Sequence, residues 1–184
     1  MDLTGKMIVA MPAMGDPRFD RAVILICAHS DEGAMGLIVN KPLTEITFPE
    51  LLTQLQIDQT DRRRDIRLHF GGPVERGRGF VLHSPDYRGG AATQHVGPGF
   101  GMTATLDVLE ALARGRGPER AVLALGYTGW GPGQLEGEIA RNDWLTGEAS
   151  DALVFGPENA AKWAEALKSM GIPPLSLSPT AGRA

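Results

Sequence analysis

The chain has 184 residues, the length of one domain and enough to bury a core without disulfides or metal. Hydrophobic residues make up 42 % and charged residues 22 %, which excludes a disordered chain and a collagen repeat, and a net charge of −4 argues against holding nucleic acid by counterion release. Glycine (24) and proline (13) together form a fifth of the chain, so many tight turns must be built. The lone Cys27 has no internal disulfide partner, residues 1–6 do not read as a targeting segment, and the apolar run Ala22–Ala28 is too short to span a bilayer. A cytoplasmic protein with no membrane contact is the expectation.

Apolar runs of strand length lie at Met7–Met11, Ala22–Ala28, Met35–Val39, Ile66–Phe70, Phe80–His83 and Ala121–Leu125, most of them bounded by Gly, Pro or Asp. A first helix is predicted from Thr47, with the capping-box spacing Thr47 to Glu50 and Pro49 in the first turn. A second runs over Thr105–Arg114, with Leu106, Leu109 and Ala113 on one face and Gly115 as its stop. A third starts at Pro132 and carries Leu135 and Ile139 four apart, and a fourth over Pro157–Met170 aligns Trp163, Leu167 and Met170 on one stripe. The residues from Pro173 to Ala184 read as an extended tail on a single domain spanning 1–184. Strands dominate the first half and helices gather later, which is the pattern of an α+β fold.

Two glycine-rich segments are candidate sites. Between the strand Ala121–Leu125 and the helix at Pro132 stand Gly126, Gly129, Gly131 and Gly133, together with Trp130 and Gln134. Strand, glycine turn and helix start in that order can aim backbone N–H groups at an anion, although the spacing is neither a P-loop nor a dinucleotide fingerprint, and Glu136 and Glu138 oppose a phosphate. The other reading is a structural loop whose glycines permit close packing. The second segment, Gly71-Gly72-Pro73-Val74, precedes Arg76 and Arg78, which are cations for an anion if the two loops meet and solvated arginines if they do not.

Cys27 and His29 lie two apart on a strand and its exit, so their side chains are expected on one face, a weak candidate thiolate and base. Val23 and Leu25 share that face, which favours a buried, inert cysteine. His69, His83 and His95 show no metal-ligand spacing, so no metal or cofactor is expected. Arg62-Arg63-Arg64 is flanked by Asp61 and Asp65 and reads as a solvated turn.

The segments Met11 to Phe19, Gly33 to Pro42, Gly71 to Val74, Arg78 to His83 and Gly126 to Glu138, in that order, resemble the YqgE/AlgH family of bacterial proteins, and the likeness runs from about Leu3 to Leu177. The chain departs from the family pattern in having Ala28 before His29, where Glu is usual, and Thr128, where Ala is common. The resemblance implies an α+β fold in which a bifurcated, strongly bent mixed sheet forms a pseudo-barrel with helices packed outside, in a bacterial cytosolic protein. It implies no settled activity, and some members are called transcriptional regulators. The expected function is a non-enzymatic domain that binds a small ligand, anionic ones included, or a protein partner, where Asn40, Gly71, Gly72, Trp130 and Gln134 converge. The alternatives are a regulator contacting nucleic acid directly or through a partner, and thiol chemistry at Cys27.

Overall fold

Burial on β2 (Val23–Ser30) alternates between two cores, with Val23, Leu25 and Cys27 in one and Ile24 and Ile26 in the other. A strand buried on both faces needs a layer on each side. The computed structural model describes residues 1–89 and 92–173, and among these the other strands are β1 (Lys6–Ala10), β3 (Gly33–Ile38), β4 (Arg67–Phe70), β5 (Val74–His83), β6 (Thr93–Val96), β7 (Phe100–Thr103), β8 (Ala121–Trp130) and β9 (Trp144–Glu148). They form one sheet in the order β6-β7-β5-β8-β3-β2-β1-β9, with β4 attached to β8 off that path. The only parallel pair among them is β4 with β8, so the sheet is mixed.

The sheet forks at β8. Its first half, Ala121–Leu125, pairs with β4 on one side and β5 on the other, whereas Thr128–Trp130 pairs with β3. The chain leaving β4 is wedged between β3 and β8: Gly71 N–H donates to the Leu125 carbonyl at 2.8 Å and Ile38 N–H to the Gly71 carbonyl at 3.0 Å. A Cβ on Gly71 would overlap the carbonyl oxygen of Gly126, one on Gly72 the Tyr127 carbonyl, and one on Gly126 the carbonyl oxygen of Gly72. Gly126 also takes a φ of +78°, a left-handed conformation that glycine adopts without steric cost. The Thr128 hydroxyl donates across the same crossing to the Gly71 carbonyl at 3.4 Å, a role for the hydroxyl that distinguishes this position.

The two wings curl toward each other around one core that draws Leu25 and Leu37 from one wing and Leu82, Val96 and Phe100 from the other. The curl is fastened where Gln94 of β6 donates to the Cys27 carbonyl at 3.0 Å and where Gly5 and Gly97 meet backbone to backbone. Helices α1 (Phe48–Gln54) and α2 (Leu106–Ala113) cover the outside of the β4-β5-β8 wing, and α3 (Gln134–Ala140) covers the outside of the other. The expected α+β architecture with a forked, strongly bent mixed sheet forms, curled into a half-barrel. Helices α4 (Asp151–Phe155) and α5 (Lys162–Ser169) differ from the expected outside packing by joining the central core through Leu153, Phe155, Ala166 and Leu167.

Local signals set several elements. Thr47 caps α1 as its spacing to Glu50 predicts: its hydroxyl accepts from Glu50 N–H at 3.3 Å and donates to the Glu50 carboxylate at 2.9 Å, a bond to the side chain in place of the capping box's bond to the backbone N–H. Helix α2 follows its expected span, but Leu106 is exposed and Val108, Leu109 and Leu112 make the buried face. The helix expected from Pro157 begins only at Lys162, after a 3-10 turn over Asn159–Ala161. Strands β6, β7 and β9 and helix α4 were not predicted. The expected tail lies, from residue 174 onward, outside the described residues.

The crossing predicts a sharp contrast among glycines. Gly71→Ala and Gly72→Ala are expected to lower unfolding free energy in urea by about 3 kcal/mol or more through backbone displacement. Gly77→Ala, where a Cβ meets nothing, is expected to change it by less than about 1 kcal/mol. Equal losses at all three positions would show that the crossing is not the constraint.

Candidate functional site

The β8–α3 junction differs from the expected loop. Strand β8 continues through Tyr127 to Trp130, so Gly126 and Gly129 are strand residues, and α3 starts at Gln134 rather than Pro132. Gly133 turns the chain with a φ of +72°, and Gly131 N–H donates to the Gln134 side-chain oxygen at 3.0 Å. That N–H group is spent internally and α3 is two turns long. The strand, glycine turn and helix start therefore do not build the expected anion cradle.

The expected convergence of residues is also only partial. Gly71 and Gly72 are buried at the crossing and line neither of the two hollows that the other candidates border. Asn40 is a clamp within the fold: its amide donates to the Arg21 carbonyl at 2.8 Å and its oxygen accepts from Val23 N–H at 2.9 Å. Arg76 lies over the Phe70 ring and Arg78 over Phe80, on an exposed four-residue excursion where the β5–β8 register jumps from Val74 to Gly79. Arg78 borders a shallow hollow of about 770 Å³ floored by Met35, Phe80, Met102 and Tyr127. Gly129 and Trp130 form the ridge between this hollow and a deeper cleft.

That cleft, about 430 Å³, contains the surviving members of the expected set, Gly129, Trp130 and Gln134, with Pro73 and Val74 following the glycine pair. Its floor is organised by Glu138. The carboxylate accepts from Trp130 Nε1 at 3.1 Å, Trp144 Nε1 at 2.9 Å and the Gln134 amide at 3.0 Å. Gln134 and Glu138 meet because they stand four apart on one helix face. Trp130 and Trp144 pack edge to face at 6.1 Å, and Phe19 packs edge to face on Trp144 at 5.8 Å. Phe19 is presented by a 3-10 turn, Pro17–Phe19, which Asp16 caps by accepting from Arg18 N–H at 3.0 Å.

Two guanidiniums border the cleft, and each has its own acid: Arg18 pairs with Asp16 at 2.8 Å and Arg141 with Asp143 at 3.4 Å. The hydrogen bonds from Arg18 hold the Asp16 carboxyl below its usual range. Glu138 has no ion-pair partner among the described residues. Sequence reading missed Glu138 as an organiser, along with Phe19 and Trp144. The spacing from Gln134 to Glu138 was a usable signal for the first, while the aromatic residues reach the cleft only through the fold.

Cys27 and His29 do not share a face. A β-bulge between Ile26 and Ala28 leaves Cys27 opposite no residue of β3 and inverts the alternation after it. Cys27 joins the central core, where burial pushes its thiol up to about 12. His29 turns to the other side: its Nδ1 accepts from Leu3 N–H at 3.0 Å and its Nε2 lies 3.5 Å from the Glu136 carboxylate.

The remaining histidines and the arginine triplet also have structural positions. His83 is fully buried, with Nδ1 donating to the Ser84 carbonyl and Nε2 accepting from Thr103, both at 2.8 Å. His95 is exposed on β6. His69 is buried, with Nε2 donating to Asn159 at 3.3 Å, and burial followed by the charge of Lys162 pushes it down to about 4. Lys162 itself is buried, donates to the Val39 and Val154 carbonyls at 2.8 and 3.3 Å, and is pushed down by burial to about 8. Arg64 donates to the carbonyls of Arg116, Pro118 and Glu119, and Arg63 pairs with Asp65. Among the described residues no group of three or more His, Cys, Asp or Glu is placed to hold a metal, and no helix is long and apolar enough to cross a membrane.

Two measurements follow. Iodoacetamide at pH 8 is expected to leave Cys27 unmodified in the native protein and to alkylate it in urea; rapid native alkylation would contradict its burial. His69 titrates near 6.5 when unfolded and about 4 when folded, so between those values the unfolded state holds the extra proton and acid favours unfolding. Relative to His69→Phe, the wild type is expected to lose up to about 3 kcal/mol as pH falls through that window, and a constant difference would contradict it.

A family model described as AlgH-like matches residues 7–175. A UPF0301 protein of Cereibacter sphaeroides is 61 % identical over 184 residues, covering 100 % of both chains. One of Paracoccus denitrificans is 56 % identical over 185 residues, covering 100 % of this chain and 97 % of the relative. The solution structure of the AlgH protein from Pseudomonas aeruginosa has a TM-score of 0.78 at 38 % identity, covering 96 % of this chain and 92 % of that one. By sequence and by fold, the chain belongs to the AlgH-like UPF0301 family.

Proposed function

We propose that the chain is a non-enzymatic binding domain whose site is the cleft between β8, α3 and the Pro17–Phe19 turn. The observation that carries this reading is Glu138, a carboxylate fixed at the floor of a 430 Å³ cleft by three N–H donors. A polar group locked by its neighbours, flanked by aromatic and apolar walls, is the usual make-up of a small-ligand site. The thiol and imidazole candidates for chemistry stand elsewhere: Cys27 is buried in the central core, and neither it nor His29 lines this cleft. The cleft has room for a small molecule or for one side chain presented by a protein partner.

A thermal-shift screen with nucleotides, phosphates, small acids, amines and guanidinium compounds at millimolar concentration tests the reading. At least one class is expected to raise the melting temperature by a few degrees. Val74 is exposed at the cleft wall, so Val74→Trp is expected to fill the space and abolish that rise without disturbing Glu138. No shift with any class, or a shift indifferent to Val74→Trp, would overturn the assignment.

A further inference from the structure

We infer that the group this cleft takes is a guanidinium, and the inference rests on the cleft being the binding site. The charge balance carries it. Two guanidiniums and three carboxylates line the cleft, and both guanidiniums are paired with aspartates. The third carboxylate, Glu138, is bonded only by neutral N–H groups, so its charge is uncompensated. A carboxylate offers about four acceptor directions. Three are used here, two on Oε1 and one on Oε2, which leaves Oε2 able to accept one more donor.

A half-buried carboxylate in aromatic surroundings attracts a cation, and a planar one suits it because guanidinium both donates in a fixed geometry and lies well on aromatic rings. The chain supplies its own example at the edge of the cleft. Arg18 sets its guanidinium 5.7 Å from the centre of the Phe19 ring while pairing with Asp16. Phosphate and other anions meet the opposite field, since each arginine would have to leave its aspartate and Glu138 would repel the anion.

The guanidinium has two sources, a free small molecule or an arginine of a protein partner. Tryptophan fluorescence titrations with agmatine, with the blocked peptide acetyl-Ala-Arg-Ala-amide, with inorganic phosphate and with uridine separate them. Agmatine and the peptide are expected to bind at one site if any guanidinium suffices; binding of the peptide alone assigns the site to a partner's arginine. Glu138→Gln keeps an oxygen for the indole N–H groups and removes the charge, and is expected to weaken guanidinium binding about tenfold or more. Arg141→Ala removes an exposed positive charge from the rim and is expected to tighten it. Weaker guanidinium binding in Arg141→Ala, or binding unchanged in a folded Glu138→Gln, would overturn the inference. Binding of phosphate or uridine without agmatine or peptide would overturn the guanidinium while leaving the cleft as the site. Silence from every ligand, here and in the thermal screen, would remove both.

Discussion

Two backbone segments cross at Gly71-Gly72 and Gly126 with no side chain between them, and the architecture follows from that contact. Because the chain leaving β4 fits between β3 and β8, strand β8 can belong to two wings at once. The wings then diverge and curl until β6 meets the Cys27 carbonyl and Gly5 meets Gly97. Only glycine permits carbonyl groups to approach a neighbouring Cα so closely. The same crossing delivers Pro73 and Val74 to the wall of the cleft and sends Trp130 to the ridge beside it. Fold and candidate site thus share one cause, although the glycines of the crossing do not themselves line the cleft.

Charge pairing decides what the remaining polar groups do. Arg18, Arg141, Arg63 and Arg64 are each engaged by an acid or by carbonyls. Lys162 of α5 donates to the Val39 carbonyl just past β3 and to the Val154 carbonyl of α4, and His69 is kept neutral beside it. These buried groups fasten the helices of the central core to the sheet. Glu138 is different because its partners are neutral and it faces a cleft. A fixed carboxylate with an open acceptor direction is the group on which the proposed site rests.

Sequence reading succeeded where the cause was local. Thr47, Pro49 and Glu50 specify the start of α1 within four residues, and Gly115 stops α2 with a φ of +82°. It failed where the cause was distant. Gly126 and Gly129 carry the signal of a turn, but the need for glycine at 126 comes from residues 71–72 passing against it, so β8 was cut five residues short. Nothing in the run Val23 to Ser30 announces the bulge that turns His29 away from Cys27. Trp130 and Gln134 were singled out because they neighbour the glycines, and both line the cleft. Phe19, Trp144 and the role of Glu138 depend on β9 pairing with β1, a long-range contact with no marker in the local pattern.

The three tryptophans make the central claim directly observable. Trp130 and Trp144 donate their indole N–H groups to Glu138, whereas Trp163 donates to the Ala10 carbonyl outside the cleft and serves as an internal reference. In a nitrogen-15 correlation spectrum titrated with agmatine, the indole signals of Trp130 and Trp144 are predicted to move together and saturate while that of Trp163 stays in place. Unmoved Trp130 and Trp144 signals, or a shift confined to Trp163, would contradict a guanidinium site at Glu138.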